Sequence, residues 1–320
     1  MIKVGFPRSL LYYDYFPLWS TFFEALNIEV ISSPNTNKEI LNDGIECCVD
    51  EACLPVKLFH GHVSYLKDKV DYIFVPKYIS LYKKEYNCPK HLGIADMVLN
   101  SIDDLPPLIS PKIELKYINE FRGISFQIGS IFTHNYYSIN KAYNKAINAH
   151  KLQIDWLKSV IVPQSTKHSI GNDNIRLLIL GHSYNIFDDF VNMETLNKLA
   201  EQGIEMIFSD EVKEETIRKH SDTISKRIFW SHGRKIIGSA YSLIEDDCID
   251  GIIYLSAFGC GLDSILINLV EDRAIKNNIP IMIMTFDEQT GEAGVNTRLE
   301  AFLDMMKWRL KIENNFSAFR

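Results

Sequence analysis

At 320 residues, 46% hydrophobic and 23% charged, the chain has a globular composition and is long enough to bury two cores. Its formal net charge of −7 offers no basic stripe, which argues against a nucleic-acid partner. No apolar run approaches the roughly 18 residues that cross a bilayer, and Met1-Ile2-Lys3-Val4 lacks secretory-signal architecture, so a cytoplasmic protein with no membrane partner is expected.

In chain order, Ile2 to Pro7 reads as a first strand, and Ser9 can cap a helix from about Leu10 to Leu26. That helix carries an aromatic stripe (Tyr12, Tyr13, Tyr15, Phe16, Trp19, Phe22, Phe23), read as core, with a kink or later start at Pro17. Glu29 to Ser32 is a second strand, and Asn35 to Lys38 opens a helix to about Cys48. Glu51-Ala52-Cys53-Leu54-Pro55 then starts a further helix, since proline is favoured in a first turn. Asp71 to Pro76 is a third strand and Lys77 to Asn87 a loop. Cys88-Pro89 begins another helix, to about Ile102. Strand and helix alternating at this spacing predicts a parallel α/β sheet.

Lys112 to Lys158 reads as mostly helical, with a break near Gly123 and Gly129, and the polar stretch from Pro163 to Asn174 as a domain boundary. Ile175 to His182 begins a second α/β unit. Strands follow near Glu205–Phe208, Gly251–Ala257 and Ile279–Phe286, and a last helix runs from about Val295 to Ile312. The expected organisation is an N-terminal α/β domain (1–110), a mainly helical connector (111–174) and a C-terminal α/β domain (175–320). Both domains are expected to be Rossmann-like, with a site in the cleft between them.

Six cysteines in a chain read as cytosolic point to free thiols or metal ligands rather than a disulfide framework. Three of them stand where loop or strand turns into helix: Cys53, Cys88 and, in Phe258-Gly259-Cys260-Gly261, Cys260. The free N–H groups and dipole of a helix start stabilise a thiolate. Cysteine is also a common small core residue, but three at matching helix starts favour ligands. Their spacing is no compact zinc ribbon, and three thiolates suit a cluster with one open iron. Cys47 or Cys48 could supply a fourth ligand, and Cys248 reads as packed.

Arg8, Lys57, His60, His182, Asp287 and Glu288 are the candidate site-lining residues. Arg8 and His182 follow the first strand of each domain, and Asp287-Glu288 follows the last strand. Lys57 lies one turn after Cys53 and can offset thiolate charge. His60 and His62 are too close in sequence to share one helix face, so a metal held by both is disfavoured. No GxxxxGK[ST] loop, post-strand GxGxxG or GxSxG elbow occurs, which argues against ATP hydrolysis, ordinary nicotinamide binding and serine hydrolysis.

The blocks GFPRSLLYYDYFPLW, DEACLPVKLFHGHVSYLKDKVDYIFVPKY, NCPKHLGIADM, GHSYNIFDDFVN, DGIIYLSAFGCGLDS and FDEQTGEAGVNTRLEAFLDM together resemble the acyl-CoA dehydratase activase-related family, also called CoA-substrate-specific enzyme activase-related. The resemblance runs from the first residues to about Asp304. This family is kin to the 2-hydroxyacyl-CoA dehydratase subunits, two-domain α/β proteins with a [4Fe–4S] cluster on three cysteines, and to proteins with a double-cubane cluster. By motif, the resemblance implies Cys53, Cys88 and Cys260 as ligands. It further implies low-potential electron transfer or dehydration of an acyl-CoA, with an ATP-dependent activase or a dehydratase subunit as partner. The alternatives are an accessory module with a structural cluster, or a zinc protein using the same thiolates.

Overall fold

A computed structural model describes residues 1–82, 84–115, 120–152, 175–224 and 226–317. The chain divides into two compact units, Met1–Lys158 with Ile228–His232, and Ser159–Arg227 with Gly233–Arg320. The stretch 163–174, read above as a boundary, lies outside the described residues, as do 116–119 and 153–158 of the expected helical connector.

The first unit contains β1 (Lys3–Phe6), α1 (Tyr12–Glu24), β2 (Glu29–Ser32), α2 (Lys38–Glu46), α3 (Leu54–Leu66), β3 (Tyr72–Phe74), β4 (Lys77–Ser80), α4 (Pro89–Ser101), β5 (Leu108–Ile109), β6 (Lys112–Glu114), α5 (Phe121–Gly129) and α6 (Tyr136–Lys151). Its main sheet is parallel, in the order β2-β1-β3-β5, and β4 pairs with β6 in a separate parallel ribbon. The second unit contains β7 (Arg176–Gly181), α7 (Ser183–Ile186), α8 (Thr195–Glu201), β8 (Glu205–Phe208), α9 (Glu214–Ser221), α10 (Ser231–Glu245, whose first two residues count with the first unit), β9 (Gly251–Ala257), α11 (Asp263–Lys276), β10 (Ile281–Phe286) and α12 (Glu292–Ser317). Its sheet is also parallel, in the order β10-β9-β7-β8. All seven residues of β9 are buried, the pattern of a strand covered on both faces.

Both main sheets therefore share one winding, with the second strand beside the first and the third on the first strand's other side. The chain reverses its winding between the first and third strands, and a crevice opens there at their carboxyl ends. In the first unit it lies beyond Phe6 and Phe74, in the second beyond Gly181 and Ala257. Among the described residues no helix is long and apolar enough to cross a membrane.

Two readings change. The stretch 77–87 is not all loop: Tyr78 and Ser80 are buried alternately with their neighbours, and β4 bonds to β6. Alternation over only four residues before a charged run is too short to register in the sequence. Gly123 does not break α5, because space around it is open and the helix runs on to Gly129. Helix α1 begins at Tyr12, two residues after the expected Leu10, and runs through Pro17. An internal proline costs about 3 kcal/mol, and burying Leu18, Trp19, Phe22 and Phe23 offsets it, since each contributes about 1.5–3 kcal/mol.

Helices α2 and α3 cross at Gly44 and Gly61. A Cβ on Gly44 would collide with the Lys57 carbonyl, and one on Gly61 with the Ile40 carbonyl. Either Gly→Ala change must force the helices apart, with an expected loss of about 3 kcal/mol in urea unfolding. Gly93→Ala in α4, where the added methyl meets nothing within 4 Å, should instead gain about 0.5–1 kcal/mol.

Candidate functional site

Cys53 and Cys88 are the N-cap residues of α3 and α4, with Pro55 and Pro89 in the first turns. The Val56 and His91 amides donate to the carbonyls of these cysteines, both at 2.9 Å. Burial pushes the Cys53 thiol up, and the nearby Cys88 pushes it the same way. The Lys90 ammonium and the Val56 amide oppose that rise, and Lys90 also donates a hydrogen bond to Cys53. Two thiols and one lysine thus share a pocket of charge at two helix starts.

The adjacent cysteines diverge. Cys48 is raised by burial, lowered by Lys57 and Lys90, and raised by Cys53. Cys47 is raised by burial and by Asp43 and Glu46. Cys48 therefore belongs to the Cys53 environment and Cys47 to an acidic helix end. All six cysteines are half-buried and outside any disulfide among the described residues, and the Cys248 thiol donates to the Asp246 carbonyl at 3.4 Å.

Lys57 is buried beside Cys48. The ring nitrogens of the two histidines go to different elements: His60 Nδ1 meets the Val56 carbonyl at 2.8 Å, and His62 Nε2 meets Thr36 Oγ1 at 3.0 Å. Burial first, and Arg8 second, depress His62 to about 3. The Arg8 guanidinium stacks over Tyr12 at 5.7 Å, and its amide donates to Ser33 Oγ at 2.8 Å.

In the second unit the switch-point crevice gathers a second group. His182 caps α7 directly after β7, Cys260 follows β9, and Asp263 opens α11. One ligand atom from each lies within 4.8 Å of the others. His182 Nε2 stands 3.5 Å from Asp263 Oδ1, and the Asp263 amide donates to Cys260 Sγ at 3.5 Å. The Tyr254 hydroxyl donates to Asp263 Oδ1 at 2.8 Å; burial, then Asp263, holds that phenol well above its usual range. Asp263 Oδ2 is buried and has no hydrogen-bond partner among the described residues. His182 stacks on Tyr184 with centroids 5.0 Å apart. Gly181, at φ 143°, lets β7 pass the Leu255 carbonyl, where any Cβ would collide.

Asp287 closes a turn before α12, accepting from the Thr290 hydroxyl at 2.8 Å and the Gln289 amide at 3.0 Å, and Glu288 sits in the same turn. Sequence reasoning missed Lys90, Tyr254 and Asp263. Two signals were present: Lys90 follows Cys88-Pro89 directly, and Asp263 lies three residues after Cys260, near the first turn of the following helix.

Residues 3–212 match the family model described as CoA enzyme activase uncharacterised domain (DUF2229). The chain belongs to that family. Residues 137–306 of this activase-domain protein also match the 2-hydroxyglutaryl-CoA dehydratase D-component, so the resemblance seen in the sequence is borne out on both sides. The first match includes Cys53, Cys88 and His182; the second includes His182, Cys260 and Asp263. No curated protein sequence matches. A periplasmic sugar-binding protein from Pseudomonas fluorescens is similar at 9% identity, over 94% of this chain and 90% of that one, with a TM-score of 0.26.

Two outcomes follow for this family member. Lys90→Met removes the cation that favours the Cys53 thiolate, so alkylation of Cys53 at pH 8, followed by mass spectrometry, should slow several-fold. His62 is held neutral when folded, so its contribution is full above pH 6.5 and is lost as pH falls towards about 3. At pH 5 that loss is about 2 kcal/mol. Urea titrations at pH 7 and pH 5 should show it in the wild type and not in His62→Gln.

Proposed function

We propose that this chain is an iron–sulfur protein of the activase and dehydratase group, with Cys53, Cys88 and Cys260 as ligands of a [4Fe–4S] cluster or of part of a double-cubane cluster. The observation that carries this reading is the pair Cys53 and Cys88, each capping a helix, with Lys90 donating to Cys53. The donor set fits: the thiols are uncrosslinked, Cys53 and Cys88 stand at two helix starts within electrostatic reach of each other, and a cation offsets the negative charge that thiolate-bound clusters carry. Cys48 is within electrostatic reach as a fourth donor, and Cys47 is not favoured.

When bound, such a cluster supplies single-electron transfer at low potential. The chain's own residues hold its charge and orient its ligands. Lys90 and Lys57 counter the thiolates, and the helix starts fix the direction of two of them. The partner this reading calls for is an ATP-dependent activase or a dehydratase subunit, and the substrate is an acyl-CoA. In the non-enzymatic version the same cluster is structural and the chain docks onto such a partner.

One observation favours a zinc reading. His182, Cys260 and Asp263 form a nitrogen, sulfur and oxygen set of the kind a single zinc ion takes, and Asp263 Oδ2 has no hydrogen-bond partner among the described residues.

Anaerobic reconstitution with iron and sulfide, followed by metal analysis, separates these readings. The expected result is a brown protein holding about four irons per cluster, with iron lost in Cys53→Ala, Cys88→Ala and Cys260→Ala but kept in Cys248→Ala. A colourless, iron-free product overturns the cluster. Zinc retained in Cys53→Ala and lost in His182→Ala selects the mononuclear site. Turnover of 2-hydroxyacyl-CoA with an activase and a reductant distinguishes an enzyme from a docking module.

A further inference from the structure

The first unit contains a recess of about 460 Å³, its open mouth included, at the carboxyl ends of β1 and β3. Phe6 and Phe74 form its strand side, and Tyr12, Tyr15, Phe16 and Trp19 of α1 another wall. Phe59 of α3 and His91 and Ile94 of α4 complete it. Its place is the crevice where parallel sheets of this winding take ligands.

We propose that this recess binds the apolar acyl group of a small thioester and excludes an acyl group that ends in a carboxylate. The thioester part rests on the function proposed above; the apolar preference rests on the recess alone.

Three observations carry it. First, the recess shares its walls with the two cysteine-capped helices. Phe59 lies on α3, behind Cys53, and the amide of His91 bonds to the carbonyl of Cys88. The Ser9 hydroxyl on the lip donates to the Pro55 carbonyl at 3.1 Å, which ties the lip to the first turn of α3. A group seated here therefore lies against the two helices that Cys53 and Cys88 begin. Second, among the described residues the lining contains no lysine, arginine, aspartate or glutamate, and His91 is its one imidazole. Its buried polar edges bond to one another, with Trp19 Nε1 donating to the Tyr78 hydroxyl at 2.9 Å. Arg8, stacked over Tyr12, is not part of the lining. A carboxylate placed in the recess would lose its water without meeting a lysine or arginine among the described residues, whereas an aliphatic or phenyl group would lose only apolar contact with water. Third, Leu10 on the lip is buried yet holds φ at 53°, a conformation that non-glycine residues adopt at a cost. Such strain is kept where surrounding structure enforces a shape, and clusters at ligand sites.

The experiment uses the full chain purified in air without iron, with two probes that share one handle: the N-acetylcysteamine thioesters of isocaproate and of glutarate. Calorimetry gives the affinity, and tryptophan fluorescence, with Trp19→Phe as control, reports entry into the recess. The expected result is isocaproyl binding at least about ten-fold tighter than glutaryl. Ile94→Phe, which fills the recess, should weaken isocaproyl binding by about ten-fold or more. Phe16→Lys, at a half-buried wall position, should shift the preference towards glutaryl; the melting temperature of each variant checks its fold. Equal or tighter glutaryl binding overturns the proposal, as does isocaproyl binding unchanged in both variants. No iron is present, so this result stands or falls apart from the cluster, and a colourless reconstituted protein leaves it intact.

Discussion

The approach of α2 to α3 is the constraint on which the first unit depends. With only hydrogen at Gly44 and Gly61, the two helices come close enough for backbone to meet backbone. That contact fixes where α3 begins, and α3 begins at Cys53. It also fixes the short link through Cys47 and Cys48, so that one of these neighbours faces Cys53 and its lysines while the other faces Asp43 and Glu46. His62, one residue beyond the crossing, is held against Thr36 just past β2. A side chain at either glycine would move all of these together, because protein interiors transmit displacement rather than absorb it.

The repeated winding explains why each unit has a group of chemistry-bearing side chains at one edge. Parallel strands feed their following loops to the carboxyl edge, and reversal of the winding leaves a gap there. In the second unit the gap collects His182 from the end of β7, and Cys260 and Asp263 from beyond β9. In the first unit the same edge holds the aromatic recess, and the starts of α3 and α4 stand beside it. The sequence shows no residue-level repeat between the halves, so the likeness is one of topology: the order of strands, not the identity of residues, puts polar groups in corresponding places.

Legibility followed the physical range of each signal. Apolar runs bounded by turn residues were readable: strands 205–208, after Gln202-Gly203, and 251–257, after Asp250, have the bounds the sequence suggests. The helix starts at Cys53 and Cys88 were readable because proline restricts where a helix can begin. Strand β4 was not, since it is a strand only by virtue of its pairing with β6, 35 residues later from Lys77 to Lys112. The aromatic run of α1 was read as one core stripe, and it is two things: Trp19, Phe22 and Phe23 are core, while Tyr12, Tyr15 and Phe16 are half-buried walls of the recess. Helical spacing tells which residues share a face but not whether the facing space is filled. Asp263 and Tyr254 were missed for a related reason, because a carboxylate meeting a phenol across a strand-to-helix turn leaves no mark in either residue's sequence neighbourhood.

The two thiol environments differ in charge, and the difference bears on what each can hold. Around Cys53 the protein supplies cations and amides, so an anionic group gains from the surroundings already present. Around Cys260 it supplies a carboxylate and a buried phenol that donates to that carboxylate. A thiolate and a carboxylate within 4.8 Å of each other repel, and burial removes the water that would screen them. Under the metal reading proposed above, a bound cation would relieve that repulsion at Cys260, whereas at Cys53 the Lys90 ammonium already offsets part of a thiolate's charge.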